Sequence, residues 1–476
     1  MSRKRINRTE KALNVIDINS NGMGVAKSEK GAVYFIKNVV PGDIVDVRVY
    51  KKRRGFFEAE PINWIETSID RTDPPCKHFG VCGGCKWQHL SYAAQLRFKE
   101  KGVLNNLLHI GKIETHQVLP ILGVENPYFY RNKMEFSFSN KRWLTPQEIK
   151  EEKEIERDGL GFHKPNMWDK IVDIKKCHLQ ADPSNKIRNS IKAFAIENGM
   201  SFFDTRDQKG FLRTLMIRNT LAGEVMVLIQ FFEERKEKIK LLFNFIKEEF
   251  SQVTSLLYCI NKKGNDSLYD QEIICYSGKK YITESLGSLK FQITAKSFYQ
   301  TNPKQVSALY AIAKDFAQLQ PHNIVYDLYT GTGTIALSLA HQCSQIIGIE
   351  SIPEAINAAN KNAKLNNIEN ATFEVGDMKF CFNDSFVKKY GKADVVITDP
   401  PRDGMHKNVI AQLIKLAPER IVYISCNSAT QARDLYLMKE SYQVVKSQAV
   451  DMFPQTHHVE NVVLLQIKSS NEIAQV

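Results

Sequence analysis

The stretch NIVYDLYTGTGTIALSLA, residues 323–340, contains the pattern from which the fold class follows. An apolar run with the length of a buried strand leads into a turn with two glycines, and a longer apolar run of helical length follows. Glycine lets the backbone of such a turn pass close to a ligand held at the helix N-terminus. We therefore expect a ligand-binding turn at residues 330–333.

The same alternation of strand and helix patterns continues outward from this stretch. Strand-like runs recur at 345–350, 371–377, 393–401 and 420–426, and helix-like segments separate most of them. Repeated βα units predict a parallel, doubly wound sheet. Two β-rich stretches at 442–453 and 459–468 should add an antiparallel hairpin at one edge. We assign residues 291–476 to a C-terminal α/β, Rossmann-like domain.

Two cofactors compete for the glycine turn. The segment Gly331–Ala336 fits a relaxed dinucleotide pattern, which favours NAD. Asp327 instead matches the D-x-x-x-G-x-G pattern of methyltransferases, and Glu350 ends the next strand, where a carboxylate can bind ribose hydroxyls. Asp377 follows the third strand and can reach the adenine amino group. Glu350 and Asp377 are also consistent with the polar residues that ordinarily end strands. Together these residues favour S-adenosylmethionine.

The ends of the fourth and fifth strands carry the candidate reactive groups. Asp399-Pro400-Pro401-Arg402 follows the fourth strand, and Cys426 follows the fifth. A lone cysteine in a strand is usually a small core residue. The carboxyl ends of neighbouring parallel strands face one crevice, however, so Cys426 and Asp399 should share the pocket of the glycine turn. Arginine replaces the aromatic ring that follows Pro-Pro in many amino-methylating enzymes, which disfavours an exocyclic amine as the target.

The N-terminal region concentrates the positive charge of the chain. The 476 residues carry a net charge of +12, and residues 1–60 hold 13 Lys and Arg against 7 Asp and Glu, half of that excess. Such charge favours a polyanionic partner. Short β-rich runs separated by turn signals predict a barrel of about five strands over residues 1–62, with Lys51–Arg54 at the tip between two strands. This region resembles the TRAM domain, an OB-like RNA-binding barrel.

The apolar content and the nine cysteines bear on three questions: whether the chain spans a membrane, whether it has disulfides and whether it binds a metal. No apolar run reaches the roughly 18 to 20 residues of a membrane span, so we expect a cytoplasmic protein without a disulfide framework. Cys76-x5-Cys82-x2-Cys85 forms a glycine-rich loop, and Cys177 is a distant fourth thiol. Three interpretations remain open on spacing alone: a zinc site that recruits a histidine, a 4Fe-4S cluster, or free thiols. The candidate histidines are His78, His89 and His178.

Three ordered segments carry a resemblance that covers nearly the whole chain. The segments are DPPRDG at 399–404, IVYISCNSAT at 421–430 and VDMFPQTHHVE at 450–460. They are similar to the signature motifs of the RNA uracil-5-methyltransferases of the RumA/RlmD and TrmA type. The barrel, the cysteine cluster and the sheet also follow in the order of that family, with residues 63–290 as an α+β central domain that bears the cluster.

The resemblance implies a covalent mechanism and a set of site residues. Cys426 is the expected nucleophile that adds to uracil C6, and Glu460 is the expected general base. Four further residues match family positions beside the cofactor or the target base: Gln300, Tyr329, Glu350 and Asp399. With Asp377 they are the predicted cofactor-binding residues. The resemblance also implies a 4Fe-4S cluster on the four cysteines, Cys76, Cys82, Cys85 and Cys177.

The expected substrate is a uridine of 23S ribosomal RNA, presented in a loop. The barrel and the cysteine cluster favour this branch, because the transfer-RNA enzymes of the family generally lack both. Transfer RNA is the close alternative, and a non-catalytic RNA-binding ribosome assembly factor is the alternative from another class. The segment 128–133, YFYRNK, interleaves rings with cations and is a further candidate RNA surface, although such rings also occur in cores.

Overall fold

The computed structural model describes residues 8–113, 118–151 and 155–469. The N-terminal part is a closed barrel with strand order β1-β2-β3-β5-β4. Alternate side chains point into a core that includes Val15, Tyr34 and Val47, so the five-strand prediction is confirmed. Lys51 and Lys52 end the fourth strand and Arg53 and Arg54 lie in the turn that follows, and residues 1–7 of the predicted barrel lie outside the described residues. The strands are β1 (Arg8–Ile18), β2 (Gly24–Lys27), β3 (Val33–Ile36), β4 (Ile44–Lys52) and β5 (Phe57–Glu66).

The central part contains a mixed seven-stranded sheet covered by two amphipathic helices, an α+β arrangement. The apolar faces of the helices pack on phenylalanine-rich strands around Phe136, Phe231 and Phe243. The strand order is β13-β12-β11-β10-β7-β8-β9. In chain order the elements are α1 (Tyr92–Asn106), β6 (Val118–Leu122), β7 (Lys133–Ser139), α2 (Pro146–Lys150), β8 (Gly159–Lys164), β9 (Met167–Asp173), α3 (Ser184–Glu197), β10 (Leu212–Asn219), β11 (Val225–Phe231), α4 (Lys236–Glu249), β12 (Val253–Ile260) and β13 (Ile274–Gly278).

The C-terminal part is the predicted doubly wound α/β domain. Five parallel strands in the order β18-β17-β16-β19-β20 are covered by apolar clusters on both faces. Its elements are β14 (Tyr281–Leu286), β15 (Leu289–Thr294), α5 (Pro303–Ala317), β16 (Ile324–Leu328), α6 (Thr334–Leu339), β17 (Gln345–Glu350), α7 (Pro353–Leu365), β18 (Ala371–Val375), α8 (Met378–Cys381), α9 (Asp384–Tyr390), β19 (Val395–Thr398), α10 (Lys407–Leu416), β20 (Arg420–Ser425), α11 (Ser428–Met438), β21 (Tyr442–Val450) and β22 (Glu460–Ile467).

The sequence predicts the closing hairpin at the edge of this sheet, but the hairpin does not form the outermost strand. Strand β22 lies between β20 and β21 and is antiparallel to both. Strand β6, from the region before the central sheet, pairs in parallel with β21 and becomes the outermost strand. The preceding helix α1 packs on α11 and brings β6 to this edge. Within the described residues, no helix has the length and apolarity needed to cross a membrane.

Candidate active site

The glycine turn after β16 is organised by the buried carboxylate of Asp327. Its Oδ2 accepts a hydrogen bond from the Thr330 hydroxyl at 2.6 Å and another from the Ala336 amide at 3.2 Å. Burial raises the pKa of this carboxyl to about 7, and the two hydrogen bonds only partly oppose that effect. The aspartate of the D-x-x-x-G-x-G pattern therefore holds the turn against the first turn of α6.

The two glycines of the turn have different surroundings. Gly331 and Gly333 have φ of 56° and 78°, a backbone region that other L-residues adopt at a cost. A Cβ at Gly333 would lie 2.9 Å from the Phe373 ring, whereas a Cβ at Gly331 would meet no heavy atom within 4 Å. The turn is packed against the protein at Gly333 and leaves open space at Gly331, where a ligand can approach its backbone.

Glu350, at the end of β17, is fixed beside this turn. Its Oε2 accepts a hydrogen bond from the Gly331 amide at 3.2 Å. Its Oε1 accepts from the amides of Ser351 at 2.7 Å and Ile352 at 3.1 Å. Three backbone donors thus orient the carboxylate at the carboxyl edge of the sheet, and ribose binding by this group stays a prediction.

Tyr329 and Asp377 lie at the same edge of the sheet. Tyr329 has a φ of 65°, and its pKa is raised by burial and further by the carboxylates of Asp377 and Glu350. Asp377 is exposed and accepts a hydrogen bond from the Lys379 amide at 2.9 Å, so it also caps α8. The structure therefore brings together three of the predicted cofactor-binding residues around one turn.

Gln300 lies in the loop before α5. The residue is only 9% exposed, and its backbone carbonyl accepts a hydrogen bond from the Asn132 side chain at 3.0 Å. The Thr332 hydroxyl donates to the carbonyl of Phe298 at 3.4 Å, which joins the loop to the glycine turn. The Phe298 ring itself is 68% exposed.

Strand register places Cys426 and Glu460 at neighbouring strand ends. Ser425 at the end of β20 pairs with Asn461 in antiparallel β22, and the next residues outward are Cys426 and Glu460. Directly opposed residues of such a pair have Cβ atoms about 4.5 to 5.5 Å apart. The predicted nucleophile and base, 34 positions apart in the sequence, therefore extend from one backbone ladder.

A buried amide network holds helix α11 against that ladder. The Gln431 Nε2 donates to the carbonyls of Tyr423 at 2.9 Å and Asn461 at 3.1 Å. The Asn461 Nδ2 returns a hydrogen bond to the Gln431 Oε1 at 2.8 Å. Because the Gln431 and Asn461 side chains are buried and mutually paired, they fix the helix that begins just after Cys426.

The loop after β19 is tied to the same helix start. The Asn427 Nδ2 and the Thr430 hydroxyl both donate to the Arg402 carbonyl, at 2.9 and 3.0 Å. Asn427 also caps α11 by accepting from the Ala429 amide at 3.2 Å. The Asp399–Arg402 segment and Cys426 are thus held together, as expected for two strand ends that face one crevice.

The acidic groups near Cys426 make its thiol difficult to ionise. Burial, together with smaller contributions from the carboxylates of Glu460 and Asp399, raises the pKa of Cys426 to about 12, and Arg402 opposes this rise. Burial likewise raises the pKa of Glu460 well above its usual range, with Asp399 adding to the effect. The pKa of Asp399 is raised by burial and by Asp327. Arg402 is thus a cation that favours the charged forms of both Cys426 and Glu460.

The two histidines of the last segment are held neutral. Burial, with smaller contributions from nearby Arg402 and Lys99, lowers the pKa of both His457 and His458 to about 4. Neutral His458 places its Nδ1 3.3 Å from an Arg402 terminal nitrogen. Both histidines line the pocket that contains Cys426 and orient its surroundings without adding charge.

Comparisons with known proteins agree with this geometry. A family model described as tRNA (uracil-5-)-methyltransferase matches residues 219–468, and a TRAM domain model matches residues 4–62. The chain belongs to the tRNA (uracil-5-)-methyltransferase family. The prediction of an S-adenosylmethionine-dependent RNA methyltransferase with an N-terminal TRAM barrel is therefore confirmed, and the chain is an enzyme.

The similar proteins extend over almost the whole chain. An uncharacterised RNA methyltransferase of Porphyromonas gingivalis is 49% identical and covers 95% of this chain and 99% of its own. One from Bacteroides thetaiotaomicron is 48% identical, covering 94% and 100%. The crystal structure of the Pyrococcus abyssi tRNA (uracil-54, C5)-methyltransferase with S-adenosyl-L-homocysteine is 29% identical, covers 95% of this chain and 99% of that chain, and has a TM-score of 0.73.

The four cysteines of this methyltransferase line one cavity of about 960 Å³, together with His78 and His178. Burial, with a smaller contribution from Cys177, raises the pKa of Cys82 to about 11 and of Cys85 to about 12. Four neighbouring thiols are the donors that a 4Fe-4S cluster requires. Across residues 8–113, 118–151 and 155–469, however, no group of three or more His, Cys, Asp and Glu side chains has the geometry to hold a metal ion. The donor chemistry of the thiols fits a cluster, but the described side chains are not arranged as a metal site.

Sequence reasoning missed a buried lysine beside the reactive pocket of the methyltransferase. The Lys99 Nζ lies 2.6 Å from Asp451 Oδ1, and both side chains are fully buried. Lys99 also donates to the Phe453 carbonyl at 3.1 Å and lines the pocket of Cys426. The helical spacing of Gln95, Lys99 and Val103 was the available signal, because it places Lys99 on the buried face of α1.

The predicted RNA surface at 128–133 is only partly on the outside. Phe129 is 40% exposed, but Tyr130 is buried, and its hydroxyl donates to the Pro454 carbonyl at 3.0 Å. Tyr130 therefore supports the segment that leads to Glu460. Arg131 lines the cavity of the cysteines, so this part of the segment borders an opening instead of forming a flat basic face.

Proposed function

We propose that this methyltransferase methylates C5 of a loop uridine in 23S ribosomal RNA through a covalent bond between Cys426 and uracil C6. The proposal is carried by the strand pairing that places Cys426 and Glu460 at adjacent ladder ends beside the Asp399 loop. A nucleophile and a base at fixed separation can act on the two adjacent ring carbons of one pyrimidine.

Uracil C5 is too weak a nucleophile to take a methyl group without activation. Addition of the Cys426 thiolate to C6 moves the ring electrons toward the C4 carbonyl and gives C5 carbanion character. S-adenosylmethionine supplies the electrophilic methyl group and leaves as S-adenosylhomocysteine. Arg402 offsets the carboxylates that disfavour the thiolate, and the start of α11 adds the partial positive charge of a helix N-terminus.

The methylated adduct retains a proton on C5 that must leave before the cysteine can. Glu460 is the proposed base that accepts it, and the electron pair of the broken C–H bond then restores the C5–C6 double bond and expels the Cys426 thiolate. A raised pKa suits this role, because a carboxylate whose pKa lies nearer neutrality is a stronger base. The Glu460 Oε2 is buried and has no hydrogen-bond partner among the described residues, so its acceptor is free.

Two RNA classes remain as substrates, and different observations support them. The TRAM barrel and the cysteine cluster favour 23S ribosomal RNA, as argued from the sequence. Transfer RNA is the second candidate, because a solved neighbour aligned over 95% of the chain is named as a tRNA (uracil-54, C5)-methyltransferase. Mass mapping of 5-methyluridine in ribosomal and transfer RNA from cells with and without the gene decides between them. Loss of a methyl group from transfer RNA alone contradicts the ribosomal proposal.

The proposal includes a 4Fe-4S cluster on Cys76, Cys82, Cys85 and Cys177. It would have no step in the methyl transfer, which moves no electron, and the four cysteines would hold it as a structural group. Protein purified without oxygen should be brown and contain about four iron and four sulfide per chain. A colourless protein loaded with zinc would support the zinc alternative.

Variants of the two proposed catalytic residues test the mechanism. Cys426→Ala should abolish both methylation and covalent RNA attachment, whereas Glu460→Gln should accumulate the methylated adduct because the C5 proton stays. Cys275→Ala is a matched control, since this partly buried free thiol lies in β13, away from the site. Full methylation by Cys426→Ala contradicts the covalent mechanism, and denaturing gels of enzyme mixed with labelled RNA measure the adduct.

A further inference from the structure

The TRAM barrel is packed tightly on the rest of the enzyme. Val40 of the barrel forms a buried apolar cluster with Trp87, Leu90 and Ala94, and Ile18 packs at its border. At the barrel exit Arg71 pairs with the fully buried Asp43 carboxylate. Contacts of this kind fix the orientation of a domain, in contrast to a domain held only by a flexible linker.

The turn between β1 and β2 contacts residues of the reactive pocket. Trp87 donates its ring N–H to the Gly22 carbonyl at 3.2 Å. A Cβ added at Gly22 would lie 3.0 Å from the Trp87 Nε1 and 3.3 Å from the His457 Cβ. Glycine at position 22 thus permits direct contact between the barrel and the segment that precedes Glu460. Asp17 of β1 adds an ion pair to Lys101 of α1 at 2.8 Å.

Barrel residues also form part of the wall around Cys426. The pocket that contains Cys426, Arg402 and both histidines has a volume of about 230 Å³, and Ile18, Asn19 and Ser20 line it. Ser20 is exposed, so its hydroxyl faces the space outside the protein core. The Asn19 Oδ1 accepts from the amides of Asn21 and Met23, which leaves the Nδ2 as the group with which this side chain can bind a ligand.

We propose that the barrel turn of residues 19–22 forms a wall of the target-uridine pocket and positions the flipped nucleotide for the chemical step. The inference rests on the proposed function, since it assigns the nucleotide to the pocket of Cys426. The amide of Asn19 and the hydroxyl of Ser20 are hydrogen-bond donors, and the carbonyl, ribose and phosphate oxygens of a nucleotide are their acceptors. The barrel therefore acts during catalysis as well as in RNA capture.

Two glycines of the barrel provide a matched test. Gly22 and Gly31 both occupy hairpin turns with φ of 76°, so alanine strains both backbones alike. A Cβ at Gly31 meets nothing within 4 Å, whereas one at Gly22 meets Trp87 and His457. Only Gly22→Ala should displace the turn from the reactive pocket, and Gly31→Ala controls for the backbone strain.

In the assay, full-length enzyme is mixed with S-adenosylmethionine and with 23S ribosomal RNA transcribed with 5-fluorouridine. Fluorine replaces the C5 proton that a base would remove, so the methylated adduct persists and can be counted on a denaturing gel. Gly22→Ala should slow adduct formation at saturating enzyme by at least about tenfold relative to Gly31→Ala, because sub-ångström misplacement of reacting groups is costly. RNA affinity of the two variants, measured by filter binding, should agree within about twofold.

Equal adduct rates for the two variants would overturn the inference, as would an affinity loss that accounts for the whole rate loss. Ser20→Phe is a second variant that extends the wall into the pocket without backbone strain, and it should block the adduct while S-adenosylhomocysteine binding is retained. Unchanged adduct formation by Ser20→Phe also refutes the role of the turn. Failure of the wild-type enzyme to form any adduct removes the proposed function and the inference together, an outcome distinct from a failure at Gly22 alone.

Discussion

Replacement of Lys99 by methionine should strongly destabilise the C-terminal domain. The Lys99 ammonium lies 2.6 Å from Asp451 with both side chains fully buried. In the Lys99→Met variant the Asp451 carboxylate has no counter-ion. It keeps two hydrogen-bond donors, the Tyr92 hydroxyl at 3.0 Å and the Phe453 amide at 3.1 Å. Removal of one partner of a buried pair costs about 3 to 5 kcal/mol. For a domain of this size the cost corresponds to a Tm decrease of roughly 6 to 20 °C.

Thermal unfolding followed by circular dichroism measures the effect, with Lys101→Met as the matched control. Lys101 lies on the same helix and pairs with Asp17, but its side chain is 48% exposed, so its loss should cost below about 1 kcal/mol. The double variant Lys99→Met, Asp451→Asn should recover more than half of the Tm loss, because it removes both buried charges. A Tm decrease of less than about 2 °C for Lys99→Met, or no recovery in the double variant, would refute the reasoning.

Three further predictions concern RNA, pH and cofactor. Deletion of residues 1–60 should weaken RNA binding and flatten its dependence on salt, because half of the excess charge is removed; unchanged affinity and slope in filter binding would contradict a role for the barrel. Because burial and acidic neighbours raise the pKa of Cys426 to about 12, the thiolate fraction should increase about tenfold per pH unit. Single-turnover adduct formation should therefore accelerate from pH 6 to 9, and a maximum at pH 6 would exclude a thiol with so high a pKa. Glu350→Ala should weaken S-adenosylhomocysteine binding at least about tenfold, as measured by calorimetry. Glu354→Ala, one turn further along the chain, is the control and should leave the affinity unchanged. Equal affinities of the two variants would contradict a role of Glu350 in cofactor binding.

The sequence predicted the parts of the site that lie at strand ends. The glycine turn, Glu350, Asp399 and Cys426 each follow an apolar run by a residue or two, and parallel strands bring such positions to one edge regardless of the loops between them. The pairing of Cys426 with Glu460 required the family resemblance, since periodicity alone shows neither that β22 pairs with β20 nor in which register.

Contacts between distant segments could not be predicted from local patterns. Strand β6 is short and apolar, and nothing in its five residues specifies β21 as its partner. The approach of Gly22 to His457 depends on how the barrel packs on Trp87, which is decided by complementary surfaces more than 60 residues apart. Lys99 differs from these cases, because helical spacing predicts its burial although the identity of its partner does not follow from the sequence.

The position of β6 has a consequence for how the enzyme is made. Its partner β21 leaves the ribosome roughly 320 residues later, which takes about 16 to 64 s at ordinary rates of translation. The barrel and the seven-stranded sheet can fold in that interval from contiguous chain, while β6 waits with an unpaired backbone. Because α1 and β6 pack on the final hairpin, the reactive pocket closes only when synthesis is complete. A truncated nascent chain would thus have a barrel able to bind RNA before it has any means of modifying it.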